Sequence, residues 1–274
     1  TGGEPLVRKD IWELLNYIKK NSNAFVSLMT NATLINERNV EELVKLVDAF
    51  DISIDGINEE TCAKIRGKGV FDKVIRSIEL LKRHGVDKIS LSMVVVNHTR
   101  SYIKEFEDLN NKLGTYMMIR EFEAMGRGKD NYELLVDHQE KRDKEKMIDL
   151  ATTIGNENKN RGKGFSCGAA RTSFFIDNLG NLFPCAPLNY NKFKLTNVIE
   201  NPDFVRFILN EDYTNTKEFD YLLSLMPQNN VKCLDCYSNI FCWECLRDVY
   251  EKGRDKDKFD FRCQLKKLEL KNIW

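Results

Sequence analysis

Four cysteines crowd the stretch CLDCYSNIFCWEC, residues 233–245, as CxxC, five residues, then CxxC. Thiolates this close in sequence suit a soft metal: four can close a tetrahedral zinc site, and four can ligate a 4Fe–4S cluster. Spacing alone leaves both open, but the count favours iron. Cys62 stands apart, whereas Cys167, Cys185, Cys233, Cys236, Cys242, Cys245 and Cys263 all fall within the last 108 residues. One four-thiolate zinc site would strand three of the seven, and two such sites would need eight ligands. A cluster iron tolerates an open or non-cysteine position, so seven reads as four plus three. Nothing in the sequence points to secretion, and reduced thiols in CxxC spacing are more often metal ligands or redox centres than disulfides. A reducing, anaerobic cytoplasm is the expected setting.

A second group of chemistry-bearing residues lies in the N-terminal half, within TGGEP, TNATLI, SIDG, VNHTR and GRGK. Gly2 and Gly3 allow close approach to backbone, and Glu4 can accept from an ammonium group. Asn31, Ser53 and Asp55 offer donors and acceptors on neighbouring strands, and Arg66 could bind a carboxylate. Each has a plainer reading, with Gly-Gly as a turn, Asp55 as a helix cap and Arg66 as a solvated charge. Their common position, just after apolar β-branched runs, is what singles them out.

The elements that must position these residues alternate. IWELLNYIKK is helical, with Ile11, Leu14, Leu15 and Ile18 on one face, and AFVSLMT is a short buried strand. NERNVEELVKLVDA follows as a helix opened by Asn36, then FDISIDG as a strand. VFDKVIRSIELLKRHG closes at Gly85, and KISLSMVVVN, SYIKEFEDLNNKLG and YMMIREFEAMGRG continue as strand, helix, strand. This is the rhythm of parallel βα units, in which chemistry sits beyond the carboxyl ends of the strands. In the C-terminal half, SFFIDNLGNLFPC reads as a hairpin turning at Gly180, which brings Cys167 and Cys185 back towards each other. Phe174, Phe175 and Trp243 read as core or shielding residues. The intervening polar, charged segment reads as a bridge.

Bulk properties exclude other classes. Forty-two basic against forty-two acidic side chains give no footing for nucleic acid or a membrane surface. No apolar run approaches the roughly 20 residues of a membrane span.

TGGEPLVRKD resembles the GGEP motif of radical SAM enzymes, and FDISIDG, IRGKG and GRG follow as similar elements of that family's partial (β/α)6 barrel. The cysteines resemble those of the SPASM domain, a C-terminal extension carrying auxiliary clusters. Cys167, twelve residues, Gly180, four residues and Cys185 match its first half, and Cys233, Cys236, Cys242, Cys245 and Cys263 its second. Two residues rather than three between Cys242 and Cys245 is the one departure. The resemblance implies an α/β chain with a partial radical SAM barrel at 1–130, a bridge at 131–165 and a small α+β SPASM domain at 166–274. The barrel would lack its first strand and cluster loop, so the chain reads as a fragment truncated before GGEP that does not cleave SAM alone.

By the same resemblance, Cys233, Cys236, Cys242 and Cys263 would bind an outer 4Fe–4S cluster in full. Cys167, Cys185 and Cys245 would bind an inner one, leaving one iron for another ligand. Gly2, Gly3 and Glu4 would face the methionine ammonium of S-adenosyl-L-methionine, Ser53 and Arg66 its carboxylate or ribose, and Asn97 its nucleoside, with Asn31 and Asp55 beside them. A third cluster, upstream, would bind SAM and yield the 5'-deoxyadenosyl radical. The implied activity is radical modification of a ribosomally made peptide, thioether cross-linking at cysteine included. The implied partners are a peptide or protein substrate and a reductant such as flavodoxin or ferredoxin, with no nucleic acid and no membrane. An anaerobic sulfatase maturase is a second reading, although Cys185 is followed by Ala186 where that group carries aspartate. A non-catalytic iron–sulfur electron-transfer or docking scaffold is a third.

Overall fold

The structure is a computed structural model that describes residues 3–122, 127–131, 167–236, 238–239, 242 and 245–271. Gly2, Trp243 and residues 132–165 of the expected bridge lie outside the described residues. The chain divides into two compact units, Thr1–Gln139 and Glu140–Trp274.

Within the first unit, β1 (Ser27–Thr30), β2 (Ala49–Ser53), β3 (Ile89–Val95) and β4 (Tyr116–Glu121) form one sheet in the order β1-β2-β3-β4. Every neighbouring pair is parallel. Helices α1 (Ile11–Asn21), α2 (Val40–Leu46), α3 (Glu59–Arg66), α4 (Val70–Arg83) and α5 (Ile103–Leu113) fill the connections. Two helices end as glycine dictates: Gly85 just beyond α4 and Gly114 at the end of α5 have φ of 81° and 62°. The expected α2 starts later than Asn36. That residue's Oδ1 accepts from Arg38 N and so closes a turn, and the helix runs from Val40. Helix α3, which periodicity does not reveal, is started by a capping box in which Asn58 and Thr61 bond each other's backbone.

Side-chain alternation gives the sheet two unlike faces. Phe50, Ile52, Ile89, Leu91 and Met93 are fully buried against Val40, Leu43, Val74, Ile78, Leu81 and Phe106. Each such side chain contributes roughly 1.5–3 kcal/mol by leaving water. Parallel strands are usually apolar on both faces. Here the alternate positions are Asp51, Ser53, Ser90 and Ser92, and the register sets Asp51 beside Ser90 and Ser53 beside Ser92. One face therefore makes the core, and the other is lined for a polar occupant.

The second unit has a three-stranded antiparallel sheet of β5 (Phe175–Ile176), β6 (Asn181–Phe183) and β7 (Thr196–Asn197). Helices α6 (Phe204–Leu209), α7 (Lys217–Ser224), α8 (Leu246–Lys252) and α9 (Lys256–Lys271) follow. Its core joins Leu182, Leu188, Phe193, Leu222, Leu246 and Val249. Edge-to-face aromatic pairs stiffen it, with Phe193 and Tyr250 centroids 5.3 Å apart and Phe174 and Tyr213 5.4 Å apart.

Candidate metal centre and cofactor-binding face

Short-range hydrogen bonding organises the C-terminal cysteines. Cys236 N donates to Cys233 O at 3.0 Å, Asn239 N to Cys236 O at 3.0 Å and Cys242 N to Asn239 O at 3.2 Å. Three consecutive turns of this kind repeat every three residues, which returns Cys233, Cys236 and Cys242 to one side of the chain. Gln228 Nε2 holds the run by donating to Asn239 O. Helix α9 supplies Cys263, and all four cysteines line one cavity of about 170 Å³. Lys232, Arg262, Lys266 and Lys267 line it too, against the single carboxylate of Asp260. Desolvation foremost, then the neighbouring Cys263 and Cys236 sulfurs, push the Cys233 thiol above its ordinary range.

The other three cysteines sit apart from that cavity's lining. Gly168 O accepts from Arg171 N, Thr172 N and Ser173 N, and a Cβ on Gly168 would lie 2.6 Å from Thr172 Oγ1. Ala170 N then donates to Pro184 O at 2.9 Å, which draws the segment after Cys167 alongside the residue before Cys185. The β5–β6 hairpin closes through Asp177, whose Oδ1 accepts from Leu179 N and Asn181 N, and Gly180 turns it at φ 79°. Cys167 and Cys185 pack against the second core, and Cys245 caps α8. Desolvation foremost raises the Cys245 thiol, with Asp248 and Cys167 pushing the same way, so Cys245 and Cys167 are electrostatic neighbours. Among the described residues no three Cys, His, Asp or Glu side chains converge on a single-ion site. The four-cysteine cavity gathers thiols, the ligand type that iron–sulfur clusters take, among four basic side chains.

In the first unit Asn31, Ser53, Asp55 and Asn97 lie just after or at the carboxyl ends of β1, β2 and β3, and Glu4 and Arg66 reach that edge through hydrogen bonds. Glu4 Oε1 accepts from Thr30 Oγ1 at 2.6 Å and from Leu6 N at 3.2 Å, while Oε2 accepts from Asn31 N at 2.7 Å. The GGEP segment is thereby fastened to the end of β1. Asn31 Oδ1 accepts from Thr33 N and Thr33 Oγ1. Gly3 is exposed, and a Cβ built there would meet nothing within 4 Å. Ser53 Oγ accepts from Ser92 Oγ at 3.4 Å, and Asn97 is exposed in the turn after β3.

Asp55 adopts the left-handed conformation, φ 53°, and is 3% exposed. Its Oδ1 accepts from Val94 N at 2.7 Å, continuing the β2–β3 ladder with a side chain. Its Oδ2 lies 2.6 Å from both Nε and Nη2 of Arg66. Arg66, at the end of α3, thus commits two of its five donors to Asp55 and keeps the rest for another acceptor. Asp55 does not cap α3, a role Asn58 takes. Sequence reasoning placed Asp55 and Arg66 in one region but missed that they bind each other. An Asp followed by Gly at a strand end was the available signal. That glycine is required, because a Cβ on Gly56 would meet Cys62 N at 2.4 Å. Cys62 is fully buried, donates to Ile54 O at 3.0 Å, and is pushed up to about 11 by desolvation, which marks it as structural.

The parallel α/β sheet with ligand-type residues at its carboxyl edge defines a class, and comparison agrees. Residues 1–109 match the Radical SAM superfamily, and the first unit has the parallel α/β sheet described above. The chain is 29% identical over 220 residues to mycofactocin maturase MftC of Mycolicibacterium smegmatis, covering 74% of this chain and 55% of the relative. It is also 29% identical over 281 residues to MftC of Mycobacterium ulcerans, covering 96% and 73%. A probable GTP 3',8-cyclase of Saccharolobus islandicus is 29% identical over 150 residues, 54% of this chain and 48% of that one. This chain therefore spans little more than half of the first of these relatives. Among solved structures, native anSMEcpe with bound AdoMet and Cp18Cys peptide shares the fold at TM-score 0.65, with 20% identity over 99% of this chain and 81% of that chain. No helix among the described residues is long and apolar enough to cross a membrane.

Proposed function

We propose that this chain is the greater part of a radical SAM peptide maturase whose C-terminal unit, a SPASM domain, holds two auxiliary 4Fe–4S clusters. The observation that carries the reading is that Cys233, Cys236, Cys242 and Cys263 line one cavity and the other three C-terminal cysteines stand outside its lining. Cys233, Cys236, Cys242 and Cys263 would hold the outer cluster, and Cys167, Cys185 and Cys245 the inner one. The three-cysteine set leaves a position suited to a soft thiolate, which fits a cysteine-bearing peptide and thioether formation. Likeness to peptide-maturing MftC over nearly the whole chain supports a peptide substrate.

Bound SAM and its own cluster would supply a 5'-deoxyadenosyl radical. The chain's residues orient and shield. Glu4, fastened to β1, offers carboxylate to an ammonium group beside the open backbone of Gly3. Arg66, steered by Asp55, presents its remaining donors to a carboxylate, and Ser53 and Asn97 flank them on adjacent strands. Asn31 and Asp55 act by holding that edge in shape.

The test is iron, acid-labile sulfide and zinc per chain after anaerobic purification, with SAM cleavage measured on the full-length protein. About eight irons on this chain are expected, and SAM cleavage when the protein is complete. Full iron without SAM cleavage would favour an electron-transfer scaffold. One or two zincs without sulfide would sink the cluster reading.

A further inference from the structure

One buried arginine stands among the thiols of the four-cysteine cavity. Arg262 lines the same cavity as Cys233, Cys236, Cys242 and Cys263, and it is 5% exposed. Its Nη2 donates to Cys263 Sγ at 3.7 Å. The guanidinium lies 4.8 Å from the centroid of Phe259, one helical turn earlier and itself 4% exposed. Lys232 Nζ sits 4.8 Å from the same ring. The aromatic side chain thus helps hold the arginine where it reaches the sulfur.

We infer that Arg262 raises the reduction potential of the iron–sulfur cluster held by Cys233, Cys236, Cys242 and Cys263, by donating a charge-assisted hydrogen bond to Cys263. The inference rests on the two-cluster reading above. Reduction adds one electron to a group that four thiolates already make anionic. A buried cation bonded to one of those sulfurs stabilises the reduced state more than the oxidised one, because the interaction grows with the negative charge it faces. Arg262 is a positioning and tuning residue, with no contact to substrate required. With this donor in place the outer cluster accepts an electron more readily than it would without it.

The experiment is an EPR-monitored redox titration of the anaerobically reconstituted chain, as wild type, Arg262→Lys and Arg262→Gln, with iron and sulfide counted in each. Expected are wild-type iron in all three, one midpoint moved to more negative potential in Arg262→Gln and moved less in Arg262→Lys, and the second midpoint unmoved. Full iron with both midpoints unmoved in both variants overturns the inference and leaves the two-cluster reading intact. If Arg262→Gln fails to assemble its cluster, Arg262→Lys decides, since it keeps the charge and loses the planar donor. A lower midpoint then supports the inference, and an unmoved one overturns it. Zinc without sulfide in the wild type overturns the two-cluster reading and this inference with it.

Discussion

The two units solve the problem of buried polar chemistry in opposite ways. In the first, the polar groups at the sheet edge satisfy one another: Glu4 with Thr30 and Asn31, and Asp55 with Arg66 and Val94. They stand on a core of fully buried apolar side chains, so the edge is organised before any ligand arrives. In the second, the strands are only two or three residues long, and the unit carries seven thiols that the proposed function assigns to two clusters. A small unit of that kind draws folding free energy from what it binds. The lesson is that one unit should survive loss of its cofactor and the other should not.

Metal removal is the strongest way to break this comparison. Chelating the iron should remove both clusters, and Cys233→Ser with Cys236→Ser should abolish the outer one and lower iron by about half. The unfolding transition of the second unit should fall by several kcal/mol while that of the first is unmoved. Calorimetry and limited proteolysis read the two transitions separately, and equal loss in both would refute the contrast. Next in size is Asp55→Ala. It leaves the Arg66 guanidinium without its partner and Val94 N without an acceptor, for a cost of about 3 kcal/mol in the first unit and weakened SAM binding. Denaturant titration and SAM affinity check it, and Asp55→Asn should recover only the Val94 bond.

Gly56→Ala forces a Cβ into the Cys62 backbone, at about 1–3 kcal/mol by the same denaturant assay. Smaller still is the pH effect of Cys62. Its thiol ionises near 9 in the unfolded chain and near about 11 when folded, so the folded state favours the neutral form. Below pH 9 this contribution is constant, and it is lost as pH rises from 9 towards about 11. Iodoacetamide at pH 8 should spare Cys62 in the native protein and modify it once the unit is unfolded. The smallest effect, about 1 kcal/mol confined to the second unit, is expected for Thr216→Ala, which removes the α7 cap to Phe219 N.

Long periodic elements were legible in the sequence because their burial follows the chain period. The strand–helix alternation from Ile11 to Glu121 is an example, and so is the hairpin around Gly180. Helix α3 was not, since its eight residues bury only Thr61 and Cys62 and leave no apolar stripe to read. The count of seven suggested four plus three, but that Cys263 rather than Cys245 joins Cys233, Cys236 and Cys242 came from the SPASM resemblance, since spacing alone would group Cys245 with them. Arg262 could not be picked out, because an arginine beside a cysteine in a basic helix looks like a solvated charge until the fold buries it against Phe259. The Asp55–Arg66 pair was hidden for a related reason. Each residue suits a ligand as well as it suits the other, and only the left-handed turn at Asp55 brings them together.

The alternation of polar and apolar residues along β2 and the first part of β3 also governs which length changes the chain can accept. A residue added between strands lengthens a surface turn and costs little. One added after Phe50 or Ile89 would move every following side chain to the opposite face, setting Ser92 into the apolar core and Leu91 among the ligand-facing groups. Insertions and deletions in proteins built on this sheet should therefore collect in the connections, with strand lengths held fixed.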